Sequence, residues 1–260
     1  MHGAGNDYVY VDLFEEQVDD APALARMVSD RNYGVGSDGL ILLAPSEVAD
    51  VRMIMFNADG SRAQMCGNGI RCLAKLARDH GRTASNPVRV ETDAGIKTVE
   101  LVAEGARVDM GPPAVDPSLR ELEVLDRTFE VTAVSMGNPH VVIYVDDVEG
   151  FDVARYGRAI ETLPRFPERT NVEFVQVLDR GHVLQRTWER GSAETLACGT
   201  GACAVCVAGI VTGRTDSPLR IRLRGGELLL EWDGEGPVHK TGPAVEIFTG
   251  VLLRHKPPNL

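Results

Sequence analysis

Residues 197–209 read ACGTGACAVCVAG, a cysteine on a glycine-rich turn that leads into a run of small apolar residues. A second copy of this turn, MCGNGIRCLAKLA, occupies residues 65–77. In each copy the sequence Cys-Gly-x-Gly precedes apolar residues at helical spacing, which places Cys66 and Cys198 at predicted helix N-termini. The two cysteines are 132 positions apart.

The same offset of 132 residues aligns other landmarks along the chain. Gly5-Asn6-Asp7 aligns with Gly137-Asn138-Pro139, and each of these triplets precedes an apolar strand pattern. The remaining pairs are Gly39 with Asn171, Asn57 with Glu189, and VRVET at 88–92 with RIRLR at 220–224. One ungapped offset that carries five landmarks predicts two copies of a single α/β unit.

Each unit is predicted to contain mostly short strands, because apolar residues alternate between Gly, Asp or Asn boundaries. The predicted strands are 8–12, 39–44, 51–56, 88–93, 96–103, 106–110, 130–135, 140–145, 172–178, 182–188, 219–224, 227–232 and 245–253. The predicted helices are 21–32, 68–79, 152–162 and 200–212. The last of these is apolar all round and is expected at the centre of its domain, whereas Arg71, Lys75 and Arg78 predict a solvent-facing side for helix 68–79.

A domain boundary is expected in the proline-rich segment MGPPAVDPSLRE at 110–121. It would separate an N-terminal half, 1–112, from a C-terminal half, 113–244. The last segment, 245–260, is expected to return to the N-terminal half and complete it.

Composition excludes several classes of protein. The chain has 260 residues, of which 43% are hydrophobic, so it can bury a sizeable core. A formal charge of −11 argues against nucleic acid or an anionic membrane as partner. No apolar run approaches a membrane span, and the first residues are too polar for a secretory signal. Five cysteines without such a signal predict free thiols in the reducing cytoplasm.

The paired turns suit proton transfer. A helix N-terminus carries free N–H groups and partial positive charge, so it can lower the pKa of a thiol placed there. The amides of Gly67-Asn68 and Gly199-Thr200 can also bind a carboxylate. Two such turns facing each other would hold one carboxylate between two thiols. The arrangement predicts removal of a proton from one face of an α-carbon and delivery of another to the opposite face.

The remaining motifs of the sequence are interpreted as structural and not as catalytic or cofactor-binding. Cys72, Cys203 and Cys206 lie inside helical patterns and are predicted core residues, so the Cys203–Cys206 spacing predicts no metal site. GVGSDG at 34–39 lacks the strand–turn–helix context of a dinucleotide motif. The four lysines stand in no pocket-like context, which favours a mechanism without pyridoxal phosphate or any other cofactor: Lys75, Lys97, Lys240 and Lys256.

Six segments together resemble the diaminopimelate epimerase family over nearly the whole chain. They are GAGNDYVYVD (3–12), FNADGSRAQMCGNGIRC (56–72), MGNPHVVIYVDD (136–147), RFPERTNVEFV (165–175), WERGSAETLACGTGACA (188–204) and GPAVEIFTG (242–250). The resemblance implies an α/β (α+β) fold of two pseudo-symmetric domains, each a curled, mostly antiparallel sheet around a central helix. It also implies cofactor-independent interconversion of LL- and meso-2,6-diaminopimelate, in lysine and cell-wall biosynthesis.

The resemblance also implies roles for individual residues. Cys66 and Cys198 would be the acid and base, and His140 and Glu189 would tune their thiols. The reacting carboxylate would bind Gly67, Asn68, Gly199 and Thr200, and the rest of the substrate would bind Asn6, Asn57, Asn138, Asn171, Glu189 and Arg190. Gly39 stands where some members carry a substrate-contacting glutamine. Phe248 stands where a tyrosine linked to homodimer formation often lies.

Two alternative functions are kept open. A proline or hydroxyproline racemase uses the same two thiols, but the Glu189–Arg190 pair disfavours it, because a substrate with one head group would leave a buried Arg190 unpaired. A thiol-based redox sensor or metal-binding protein belongs to another class and would carry stoichiometric metal or respond to oxidation.

Overall fold

A computed structural model describes residues 1–253 of the chain, and all four predicted helices are present. They are α1 (Ala21–Ser29), α2 (Gly69–Asp79), α3 (Val153–Glu161) and α4 (Gly199–Val211). α1 begins as expected, because the Asp20 carboxylate accepts a hydrogen bond of 2.9 Å from the amide of Ala23. It ends three residues before the predicted end, where Asp30 instead accepts from the amides of Asn32 and Tyr33 in a turn.

The strands outnumber the helices in both halves. In chain order they are β1 (His2–Gly3), β2 (Asn6–Asp7), β3 (Val9–Asp12), β4 (Gly39–Ala44), β5 (Val51–Asn57), β6 (Arg62–Ala63), β7 (Val88–Thr92), β8 (Gly95–Val102), β9 (Gly105–Asp109), β10 (Ala114–Asp116), β11 (Glu121–Val124), β12 (Arg127–Ser135), β13 (Pro139–Tyr144), β14 (Asn171–Asp179), β15 (His182–Glu189), β16 (Ala193–Thr195), β17 (Leu219–Leu223), β18 (Gly226–Glu231) and β19 (His239–Gly242). Every predicted strand except 245–253 is found.

The internal repeat is visible in the strand pairings. β3 and β4 pair in parallel, as do their counterparts β13 and β14. β4 pairs antiparallel with β5, which runs parallel to β7, and β14, β15 and β17 repeat this order. Most other pairings are antiparallel. The two halves therefore have the predicted pseudo-symmetric, mostly antiparallel architecture.

Each sheet carries helices on both faces. In β4, Ile41 and Leu43 point into a core cluster shared with α2, whereas Leu40 and Leu42 pack against α1 on the opposite face. α3 occupies the corresponding outer position in the second half. The alternation follows from the two-residue period of a strand. The inner cluster contains α2 and α4 together and is continuous across both halves.

The prediction of a strand at 245–253 is wrong. Only Val245 forms a bridge, to His2, and residues 246–253 belong to no strand; residues 254–260 lie outside the described part. The last strand is instead β19, which the sequence analysis missed. β19 pairs with β18 on one side and with β9 on the other, and it thereby joins the sheet of the second half to that of the first.

The two central helices, α2 and α4, differ less in solvent exposure than the sequence predicts. α4 is buried from Gly201 to Gly209, as its apolar sequence predicted. The expected solvent-facing side of α2 is wrong for Arg71, which is 0% exposed. Its guanidinium donates to the carbonyl oxygens of Pro243 and Gly67, and these contacts hold it inside the fold. Neither helix, nor any other within residues 1–253, has the length and apolar character needed to span a membrane.

Candidate active site

Both cysteines of the repeated turn lie at the start of a central helix. The Cys66 sulfur accepts a hydrogen bond of 3.4 Å from the amide of Gly69, at the beginning of α2. The Cys198 sulfur accepts one of the same length from the amide of Gly201 and caps α4. A sulfur here takes the place of the oxygen that usually caps a helix, satisfying one of its free N–H groups. All five cysteines are free thiols.

The two turns converge on a shared space. We define the first Cys-Gly turn as residues 66–68 and the second as residues 198–200. A methyl group added at Gly199 would lie 3.3 Å from Oδ1 of Asn68. The same group would touch Nζ of Lys240, which also lies 2.6 Å from the position of a methyl group at Gly67. The turns of the two halves therefore face each other across one lysine side chain.

Cys66 is half-buried and lies among polar groups of the first half. Its thiol donates a hydrogen bond of 3.2 Å to Oδ1 of Asn6, whose amide nitrogen donates to Asp38 at 2.6 Å. Burial raises the pKa of the Tyr8 hydroxyl far above its usual range, and the neighbouring Cys66 raises it further. Tyr8 is thus a neutral neighbour of this thiol.

Cys198 is buried beside a chain of hydrogen bonds in the second half. Asn138 donates to Oγ1 of Thr200 at 3.3 Å, and Oγ1 lies 3.6 Å from the Cys198 sulfur. Oδ1 of Asn138 lies 3.1 Å from Nε2 of His140, whose Nδ1 lies 2.9 Å from Glu173. Both His140 and Glu173 have fully buried side chains. Asn6 thus contacts the thiol of its half directly, whereas Asn138, its counterpart in the repeat, is linked to Cys198 through Thr200.

The expected lowering of the thiol pKa is wrong for Cys198. Burial raises the pKa of its thiol well above the usual range, and the carboxylates of Glu189 and Glu173 raise it further. These effects outweigh the hydrogen bonds from Thr200 and the amide of Gly201, which favour the thiolate. Burial also raises the pKa of Glu189. Cys198 therefore keeps its proton at neutral pH.

Three other expected substrate-binding residues lie at or next to the ends of β14 and β15: Asn171, Glu189 and Arg190. Asn171 begins β14 and is buried; its side chain donates to the carbonyl of Pro139 and accepts from the amide of Arg190, both at 2.9 Å. The expectation that Arg190 is buried is wrong: its side chain is exposed and donates to the carbonyl oxygen of Glu168. Glu189 is half-buried at the end of β15 and accepts a hydrogen bond from Thr195.

Asn57 and Gly39 are opposite each other in the β4–β5 pairing of the first half. Asn57 is exposed, and its side chain donates to Oγ of Ser61 at 2.9 Å. Gly39 is buried, and a Cβ there would lie 2.9 Å from Cε1 of Tyr8 and closer still to the carbonyl oxygen of Phe56. A glutamine at position 39 would therefore require Tyr8 and β5 to move.

Sequence reasoning missed several residues of the site. Glu173 sits in the apolar strand pattern NVEFV, where its single charge was the only available signal of a buried partner. Asp38 lies in the glycine-rich segment whose motif was assigned to structure. The sequence predicts no pocket around Lys240, and it gives no sign that this side chain lies between the two turns.

One group of side chains has the composition of a metal site. Ligand-type atoms of His140, Glu173 and Cys198 lie within 4.8 Å of one another, and they could hold a thiophilic cation. The His140–Glu173 hydrogen bond already accounts for the approach of two of them. Chemistry without metal or cofactor therefore stays a prediction of the sequence.

Comparison with known proteins identifies the family. A family model described as diaminopimelate epimerase matches residues 1–115 and 132–247. A protein named diaminopimelate epimerase from Desulforudis audaxviator is 51% identical, with 98% of each chain covered. Another of that name, from Agathobacter rectalis, is 49% identical, with 97% of each covered. The chain belongs to the diaminopimelate epimerase family. It is therefore an epimerase, as the six sequence segments predicted.

Solved structures of lower similarity share the fold of this epimerase. A phenazine biosynthesis protein of the PhzF family from Bacillus anthracis superposes with a TM-score of 0.72 at 18% identity, covering 93% of this chain and 94% of that one. A probable proline racemase from Agrobacterium radiobacter gives a TM-score of 0.65 at 16% identity, covering 98% and 93%. These likenesses confirm the predicted two-part α/β architecture and extend no further than the fold.

Proposed function

We propose that the chain converts LL-2,6-diaminopimelate to meso-2,6-diaminopimelate without a cofactor, as a step of lysine and peptidoglycan-precursor biosynthesis. Curated relatives about half identical over nearly the full length carry the corresponding name. The observation that carries the mechanism is the pair of thiols at the starts of α2 and α4, on turns that face each other. The proline racemase alternative has only a likeness of fold.

The two thiols take different roles in one catalytic direction. Because Cys198 keeps its proton, it is the donor in this direction, which assigns the role of base to Cys66. The Cys66 thiolate removes the α-proton and becomes a thiol, and the electron pair of the broken C–H bond stays on the substrate. The Cys198 S–H then delivers its proton to the opposite face of the same carbon, leaving a thiolate. The centre is inverted, and the reverse reaction exchanges the two roles.

The remaining site residues bind the substrate. The free amides of Gly67-Asn68 and Gly199-Thr200 would receive the reacting carboxylate, where negative charge grows as the proton leaves. Asn6 contacts Cys66, Asn138 is linked to Cys198 through Thr200, and both asparagines would fix the reacting end. Asn57, Asn171 and Glu189 would bind the ammonium groups and the distal end, and the Arg190 guanidinium would bind the distal carboxylate after leaving the Glu168 carbonyl.

His140 acts through its neighbours. Its contacts with Asn138 and Glu173 hold an imidazole against the buried Cys198. An imidazole in that position can tune the Cys198 thiol through these contacts, the role that the family resemblance implies for His140. Glu189 raises the pKa of Cys198 and keeps the thiol protonated before turnover.

Solvent deuterium incorporation tests this function. The reduced protein is incubated with LL-2,6-diaminopimelate in D₂O. We expect meso product with deuterium at the inverted α-carbon, because the delivered proton comes from an exchangeable thiol. Proline, offered in parallel, should incorporate none. Meso product that retains protium, or faster exchange into proline, would contradict the proposal.

Assembly and location belong to the same proposal. The substrate is a small molecule, and we place the enzyme in the cytoplasm, where its thiols stay reduced. A homodimer is supported by the exposed apolar side chains of Ile247, Phe248 and Val251, next to the bridge that Val245 forms with His2.

A further inference from the structure

Lys240 is a buried cation at the centre of the molecule. It lies on β19, opposite Leu230 of β18 and Val108 of β9, and its side chain is 0% exposed. Within residues 1–253, its Nζ has no hydrogen-bond partner. A lysine side chain is almost never fully buried without a partner, since an ammonium loses its hydration there.

The ammonium lies against both Cys-Gly turns. A methyl group at Gly67 would lie 2.6 Å from Nζ, and one at Gly199 would lie closer still. The lysine tip therefore fills the space that the missing side chains of these two glycines leave. Gly67 follows Cys66 and Gly199 follows Cys198, so one cation lies against both of the turns that carry the thiols.

A second buried cation leaves the charge around Lys240 uncompensated. Arg71 of α2 is also 0% exposed, and its partners in the described chain are neutral: the carbonyl oxygens of Pro243 and Gly67 and the side-chain oxygen of Asn68. Its Nη2 is without a partner there. Two buried positive charges without a carboxylate cost stability, and an anion placed beside them is correspondingly favoured.

We propose that Lys240 is a positioning residue of the epimerase: its ammonium supplies the positive charge that stabilises the thiolates of Cys66 and Cys198 and the reacting carboxylate held by the two turns. The carboxylate part of this assignment rests on the proposed function, whereas the thiolate part requires no substrate. Removal of the α-proton increases the negative charge next to the turns, and a fixed buried cation stabilises that charge without reorganising solvent.

The protonation of Lys240 fits this role near neutral pH. Burial, and then the charge of Arg71, lower the pKa of its ammonium to about 8. The thiols that face it, Cys203 of α4 together with Cys66 and Cys198, act in the opposite direction when ionised. At pH 7 the lysine is charged, and this charge is lost as the pH rises through about 8 in the free protein.

The test is the variant Lys240→Met, whose unbranched side chain is one non-hydrogen atom shorter and carries no charge. The rate of alkylation by iodoacetamide is measured against pH for Cys66 and Cys198, with the modified peptides resolved by mass spectrometry. We expect the apparent pKa of at least one of the two thiols to rise by roughly one unit. With LL-2,6-diaminopimelate at pH 7, we expect kcat/KM to fall at least tenfold, while the denaturant midpoint is unchanged or higher.

Lys97→Met, on β8 away from both turns, is the matched control and should alter neither readout. An alkylation profile identical to that of the wild type overturns the proposal, whatever the activity. If Lys240→Met does not fold, Lys240→Gln replaces it, and failure of both to fold shows that the lysine serves the fold alone. Alkylation needs no diaminopimelate. A wild type inactive on that substrate would refute the proposed function, whereas the role of Lys240 toward the thiolates would still be decided by the alkylation profiles.

Discussion

At the scale of single residues, the thiol pair can be separated from the fold. Cys66→Ser and Cys198→Ser keep an atom that accepts the helix-start hydrogen bond, so both variants should fold. A serine hydroxyl is too weak an acid to exchange protons with the α-carbon, and each change should reduce kcat more than a hundredfold. Circular dichroism and turnover on diaminopimelate check both statements.

The same variants can contradict the mechanism. Activity above about a tenth of the wild type, a barrier change below about 1.4 kcal/mol, would show that the altered thiol is not one of two required proton carriers. An unequal loss is expected to depend on the direction assayed, because neighbouring carboxylates raise the pKa of the Cys198 thiol.

The repeat pattern indicated which residues of the two halves correspond, whereas their roles in binding and catalysis stay predictions. The offset of the repeat brought Asn6 and Asn138 into equivalent positions, and the structure places Asn6 against Cys66 and links Asn138 to Cys198 through Thr200. It could not reveal Glu173, whose role depends on a side-chain contact made across two strands. The pKa of Cys198 was also out of reach, since the sequence shows the helix start but not the depth of burial or the two carboxylates nearby.

At the scale of elements, α4 offers a test of the core assignment. Cys206 is fully buried, and burial raises the pKa of its thiol to about 12, so it stays protonated and apolar in character. Cys206→Ala should lower the free energy of unfolding by about 1–2 kcal/mol through the cavity it leaves, with kcat unchanged. Val211→Ala, at the exposed end of the same helix, should stay within about 0.5 kcal/mol. A folded but inactive Cys206→Ala would contradict the purely structural role.

Strand prediction from sequence failed for β19 and for residues 245–253. In both segments backbone pairing, and not the periodicity of apolar residues, decides whether a strand forms. β19 has the sequence HKTG, which carries no apolar alternation, and it is held by backbone pairing to β18 and β9 on both sides. The segment 245–253 has the opposite character, with the apolar residues of a strand and a single bridge at Val245. Local composition cannot indicate which segment finds an open sheet edge.

At the scale of the whole molecule, one apolar core and one strand pairing join the two halves. The inner core cluster includes α2 of the first half and α4 of the second, and β9–β19 pairing continues one sheet into the other. Duplication was readable from sequence, because both copies keep the same landmarks. The sequence could not show that the two halves share a core, since equal halves could also have folded as separate domains. The limits 1–112 and 113–244 therefore stay a prediction.

The shared core predicts that the two halves unfold together. Both tryptophans, Trp188 and Trp232, belong to the second half and report its unfolding by fluorescence. Cys72 is fully buried in α2 and reports the first half through its alkylation, measured by mass spectrometry across the same denaturant series. Because α2 and α4 pack in one cluster, neither half can lose its helix without exposing the apolar surface of the other. The two midpoints should coincide, as in a two-state transition. Exposure of Cys72 at a denaturant concentration where the tryptophans are still native would show that the first half opens alone, and the cluster would then be two cores in contact.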